Sequence, residues 1–201
     1  MGSLAAGLVV AAVVISTGCV GSPAVIRAAP PPIFRGVVHV RPTPVAARVA
    51  AAAERAVSRP RTPPPDSASL VARSLREGGL RFGTDGSVGA ILAYMRSRHD
   101  PAPLRQTRPG DVVFFRGDEG DCGAHMGIVV AVDPGGRVTF VESRAGRVRR
   151  SYLHPRRVLA RRDEAGVLLN TFLRFKLIDD PPSTRYFAGD LLCAVYRPRA
   201  R

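Results

Sequence analysis

Residues 111–143 read DVVFFRGDEGDCGAHMGIVVAVDPGGRVTFVES. Apolar residues crowd 111–115, 126–132 and 137–143, and Asp133-Pro134-Gly135-Gly136 separates the last two runs as a hairpin turn. Downstream, RVRRSYL (147–153) and VLLNTFLR (167–174) extend the series to about five strands. Upstream the period changes. SASLVARSLREGG (67–79) has a Ser/Asp cap, Leu70, Val71 and Leu75 on one face, and Gly78-Gly79 as a stop. A second helix begins near Ser87, sets Val88, Ile91, Leu92 and Met95 at helical spacing, and fades at His99-Asp100-Pro101. Helices followed by consecutive antiparallel strands give an α+β fold, not alternating βαβ units.

The chain has 201 residues, enough for one domain with a real core plus extensions. Its formal charge is +14 and Lys176 is its only lysine, so nearly all the positive charge is arginine. Such a charge favours anionic polymers or surfaces. Residues 1–18 carry no charged side chain, and the apolar run from Leu4 to Ile15 is short for a membrane span but suits a secretory signal. It ends in ISTGC, which resembles a bacterial lipobox with Cys19 as the lipidated mature N-terminus. The expected location is therefore the cell envelope, on a membrane anchor.

Residues 19–66 are rich in Pro, Ala and Arg (APPPIFRG, RPTPVAAR, RPRTPPPDS) and read as a semi-rigid tether, with a short helix between Val45 and Val57. The folded domain is expected at 67–178. Residues 179–201 read as an extension with a peripheral loop and a short apolar element.

The polar-headed helix, then RPGDVVFF (108–115), HMGIVVAV (125–132) and VTFVES (138–143), resemble the NlpC-type cell-wall peptidases and their CHAP relatives. These are papain-like cysteine hydrolases that cut peptide or amide bonds in peptidoglycan. The resemblance covers roughly 67–174 and implies a papain-like fold, with N-terminal helices packed on the sheet. In that family a cysteine at a helix N-terminus is the nucleophile, a histidine at the start of a core strand is its base, and a polar residue on the next strand orients the imidazole. Carried onto this chain, the base is His125, the orienting residue is Glu142 with Ser143 beside it, and Asp-Cys-Ser falls on Asp85-Gly86-Ser87. Gly86 supplies no thiol. The resemblance then implies a domain that kept the fold and lost the reaction, binding wall peptides or an envelope partner.

An active hydrolase would need another nucleophile. Ser87 lies one position on, which on a helix turns its side chain about 100° away. Cys122 sits three residues before His125 in a glycine-rich loop, and reads as a nucleophile, an ordinary loop cysteine or the disulfide partner of Cys193. Taken apart from the motif, His125 reads as a buried histidine satisfied by a carbonyl, and Glu142 as a solvent-facing strand residue. The histidines and cysteines show no zinc spacing, and neither a metal nor another cofactor is expected.

Eight arginines lie between Arg144 and Arg162, and the alternation of Arg147 and Arg149 around Val148 suits a solvated strand face. Asp85 and Ser87 at the helix start are expected binding residues, and a patch including Arg144, Arg147 and Arg149 would serve peptidoglycan, another anionic envelope polymer or the membrane surface. Nucleic acid suits it less, since few aromatics interleave with the arginines.

Overall fold

The structure is a computed structural model that describes residues 42–58, 64–117 and 119–199. The expected signal segment, Cys19 and the first part of the tether lie outside the described residues. Three helices, α1 (Pro44–Ser58), α2 (Ser67–Glu77) and α3 (Val88–Arg98), precede strands β1 (Asp100–Pro101), β2 (Val112–Arg116), β3 (Cys122–Val132), β4 (Val138–Arg144) and β5 (Arg147–Leu153). A single-turn helix, α4 (Ala188–Leu191), leads into β6 (Leu192–Arg197). The strands form one open antiparallel sheet of six, in the order β1-β6-β2-β3-β4-β5. The α+β class read from the sequence is the class observed.

Both expected helices start at their sequence caps. Asp66 accepts from the Ser69 N–H at 2.7 Å and Ser87 accepts from the Ala90 N–H at 3.3 Å. α2 buries Leu70, Val71 and Leu75, and α3 buries Ile91, Leu92 and Met95. Each such fully buried side chain contributes on the order of 2 kcal/mol.

Three boundaries differ from the sequence reading. The tether does not run to 66, because α1 buries Val45, Val49 and Ala53 in the same core as α2 and α3. Its Val/Ala stripe is weakly apolar and is hidden in composition by the flanking prolines. Gly110, with φ +92°, accommodates this helix: a Cβ there would lie 2.2 Å from the Ala46 carbonyl oxygen. Residues 179–201 are not peripheral either, since β6 pairs with β2 in the middle of the sheet. Conversely, 167–174 forms no strand, only isolated bridges Arg162↔Leu168 and Phe172↔Phe187.

The pleat sorts the core into two layers. Val112, Phe114, Met126, Ile128 and Val141 face α1, α2 and α3. Val113, Phe115, Val129, Val138, Phe140 and Leu153 face the other way, toward α4 and the chain that leads to it. No helix among the described residues is long and apolar enough to cross a membrane.

Candidate functional site

The far face, away from the long helices, carries the polar constellation. In β2 and β3, Phe115 pairs with His125, while Phe114 pairs with Met126. Facing residues in a ladder share a side, so His125 points to the far face with Phe115, their ring centroids 6.0 Å apart. One strand on, Glu142 shares that side with Val138 and Phe140, and in β5 Arg149 and Ser151 share it with Leu153. Gly127 makes room between these strands: a Cβ there would lie 2.7 Å from the Phe140 ring.

Glu142 is the centre of the group. It is fully buried, not solvent-facing, and its carboxylate takes three partners. Oε2 lies 2.5 Å from His125 Nε2, and Oε1 accepts from Ser151 Oγ at 2.5 Å and from Arg149 Nε at 3.0 Å. Burial pushes this carboxyl's pKa up; the bond and charge of His125, then Ser151 and Arg149, outweigh burial and bring it down to about 2. Glu142 therefore stays ionised and fixes the His125 ring.

Arg149 joins this group to a cleft of about 270 Å3. Arg144, Arg149, Arg161 and Arg174 line it together with Phe172 and Phe175, over a floor that includes Asn170 and Thr171. The β4–β5 turn places Arg144 at the edge: Ala145 (φ 50°) and Gly146 (φ 69°) are both left-handed, as a two-residue hairpin requires. The guanidinium of Arg144 lies 4.7 Å from the Phe175 centroid and donates to the Phe172 carbonyl at 3.1 Å. That of Arg161 lies 5.1 Å from the Phe172 centroid. Burial and the neighbouring Arg149 charge lower the pKa of Arg144, and Glu142 opposes them. Four cations here stand against Glu142 and Asp180, the latter bound to Arg174 at 3.1 Å. Held on aromatic faces and in excess over carboxylates, such guanidinium groups can hold a phosphate or carboxylate.

The structure thus brings His125, Glu142 and Arg149 together and sets Arg144 beside them. It does not bring Gly86 to them. Gly86 lies beside α2, where a Cβ would meet Ala72 Cβ at 3.6 Å and no other atom within 4 Å, on the helix side of the sheet. Asp85 and Ser87 stay with it, Asp85 accepting from the Ser87 N–H at 2.8 Å. Cys122 is bonded to Cys193, so the loop offers no free thiol beside His125. The arginine run divides: Arg147 is exposed on the hairpin, Arg150 pairs with Glu54 of α1, and Arg144, Arg149 and Arg161 enter the cleft.

Sequence reasoning missed Arg174, Phe172, Phe175 and Asn170, because 167–174 looked like one more strand. Only the exposed aromatic-basic alternation of FLRFK (172–176) signalled otherwise. No family model matches this chain, and no curated protein or solved structure matches it.

Proposed function

We propose that this chain is an envelope-located, non-catalytic binding domain that captures phosphate- or carboxylate-bearing envelope material in the arginine cleft. The observation that carries this reading is the pair of guanidinium groups, Arg144 and Arg161, laid on Phe175 and Phe172 around an open cleft. Two more features support it. The Cys122–Cys193 disulfide suits an oxidising compartment, in keeping with export. Neither Gly86, Ser87 nor Cys122 offers His125 a nucleophile. Descent from papain-like wall hydrolases remains part of the proposal on the His125–Glu142 pair and the motif order.

Co-sedimentation with lipid-free wall sacculi and soluble anionic wall polymer tests the reading. Arg144→Gln with Arg161→Gln should weaken binding about tenfold or more, and high salt should weaken the wild-type chain. Binding indifferent to both would overturn it.

A second reading, hydrolysis with His125 as base, is favoured by the Glu142 contact that orients the imidazole. Muropeptide cleavage detected by mass spectrometry and abolished by His125→Ala would establish it over the binding reading.

A further inference from the structure

We propose that residues 172–178, with the arginine cleft beside them, form a docking surface for an anionic lipid bilayer. A headgroup phosphate occupies the cleft, and Phe175, Leu177 and Ile178 reach the acyl boundary. The inference rests on the cleft reading above and names its partner.

Three large apolar side chains stand in solvent within four residues: Phe175 is 79% exposed, Leu177 57% and Ile178 107%. Elsewhere the sheet buries such side chains on both faces. An apolar cluster rimmed by charge marks an interaction surface. This one is also built. The Asp180 carboxylate accepts from the Leu177 N–H and the Tyr186 hydroxyl, each at 2.8 Å, and from Arg174 Nη2 at 3.1 Å. At the tip itself, the Phe175 ring lies against the Arg144 guanidinium. The turn presents its apolar residues from a fixed base.

The charge around the tip suits lipid. Arg144, Arg161, Arg174 and Lys176 surround it, against Asp179 and Asp180, and Asp180 is already committed to closing the turn. Basic side chains level with exposed aromatic and aliphatic ones are what an anionic bilayer surface recruits. A soluble polyanion would use the arginines and leave Phe175, Leu177 and Ile178 in water. A second copy of the chain would meet its own positive field.

The apolar run at 4–15 is itself expected to partition, so binding must be read at the loop. The chain contains no tryptophan, and Phe175→Trp in the full chain makes a single reporter at the tip. Mixed phosphatidylglycerol/phosphatidylcholine vesicles should shift its emission to the blue, and brominated acyl chains should quench it. Phosphatidylcholine alone should do neither. Adding Arg144→Gln and Arg161→Gln should weaken the response roughly twenty-five-fold, at about fivefold per charge. Leu177→Ser with Ile178→Ser should remove the quenching while the charges remain.

A reporter that ignores both vesicles but responds to inorganic phosphate would overturn lipid docking and leave the cleft reading standing. Indifference to phosphate, wall polymer and vesicles alike would overturn both. Equal quenching in neutral vesicles would remove the role given to the arginines. Blue-shifted emission without lipid, protected from iodide at twice the chain mass, would assign the surface to a second copy and overturn the proposal.

Discussion

His125 and Glu142 face each other across β3 and β4, Nε2 to Oε2 at 2.5 Å, on the side of the sheet opposite the three long helices. The pair is part of the fold's stability as well as of the site. The pKa of Glu142 is about 2 in the folded chain against an ordinary 4.5. A depressed carboxyl stabilises above its unfolded value and loses that contribution as pH falls through the folded one. The stabilisation is therefore complete above about pH 4.5 and fades toward pH 2, a loss of roughly 3 kcal/mol. Glu142→Gln should cost about 3–5 kcal/mol at neutral pH, by stranding His125, Arg149 and Ser151. Urea midpoints of the two proteins should converge between those pH values. A constant gap would show that Glu142 is not tied to its neighbours as described.

Position 86 offers a separate test. Gly86 does not occupy the left-handed region, and a Cβ there meets only Ala72 at van der Waals distance, so Gly86→Cys should fold normally. Because His125 projects from the opposite face, the new thiol should alkylate with a pH profile unchanged by His125→Ala. Iodoacetamide labelling read by peptide mapping separates this site from Cys19. A strongly depressed thiol pKa that rises with His125→Ala would put the imidazole at the helix N-terminus and restore the thiol relay.

The elements closed by local signals were legible. α2 and α3 begin at Asp66 and Ser87, and the Asp133–Gly136 turn fixes β3 against β4. The family resemblance implied that His125 and Glu142 would meet, and the two side chains are in contact. Which face they occupy did not follow: a period of two gives the alternation but not which layer the helices cover. That missing bit separates a thiol relay from the observed arrangement. β6 was illegible for another reason. Leu192–Arg197 pairs with a strand some eighty residues earlier, and nothing local in LLCAVY encodes that partner. The cleft was lost with it, since its wall is the irregular chain between β5 and β6.

The Cys122–Cys193 bond ties the start of β3 to β6 across the intervening β2, closing a loop with a sequence separation of 71. A cross-link of that span stabilises by about 4 kcal/mol through the unfolded chain. Cys122→Ser with Cys193→Ser, or reduction, should lower the urea midpoint accordingly. It should leave any His125-dependent activity intact. Loss of such activity without loss of stability would instead return Cys122 to the chemistry.

Asn170 organises the cleft floor from the middle of irregular chain. Fully buried, it accepts from the His154 N–H at 2.9 Å and the Gly189 N–H at 3.1 Å, and donates to the Arg157 and Ala160 carbonyls at 2.8 and 2.7 Å. Gly189 must be glycine for this approach, because a Cβ would lie 2.5 Å from Asn170 Oδ1. Asn170→Ala leaves the buried N–H groups of His154 and Gly189 without this acceptor and removes a donor from the half-buried Arg157 and Ala160 carbonyls, and should cost about 2–4 kcal/mol. Asn170→Asp keeps the two acceptor bonds but sets a carboxylate oxygen against two carbonyls, so it should be no milder. Amide exchange should rise across 154–171 and binding in the cleft should weaken. Exchange in α2 and α3, packed on the opposite face, should stay near wild type. An Asn170→Ala chain with an unchanged midpoint and unchanged exchange would mean that the far-face chain is held by something else.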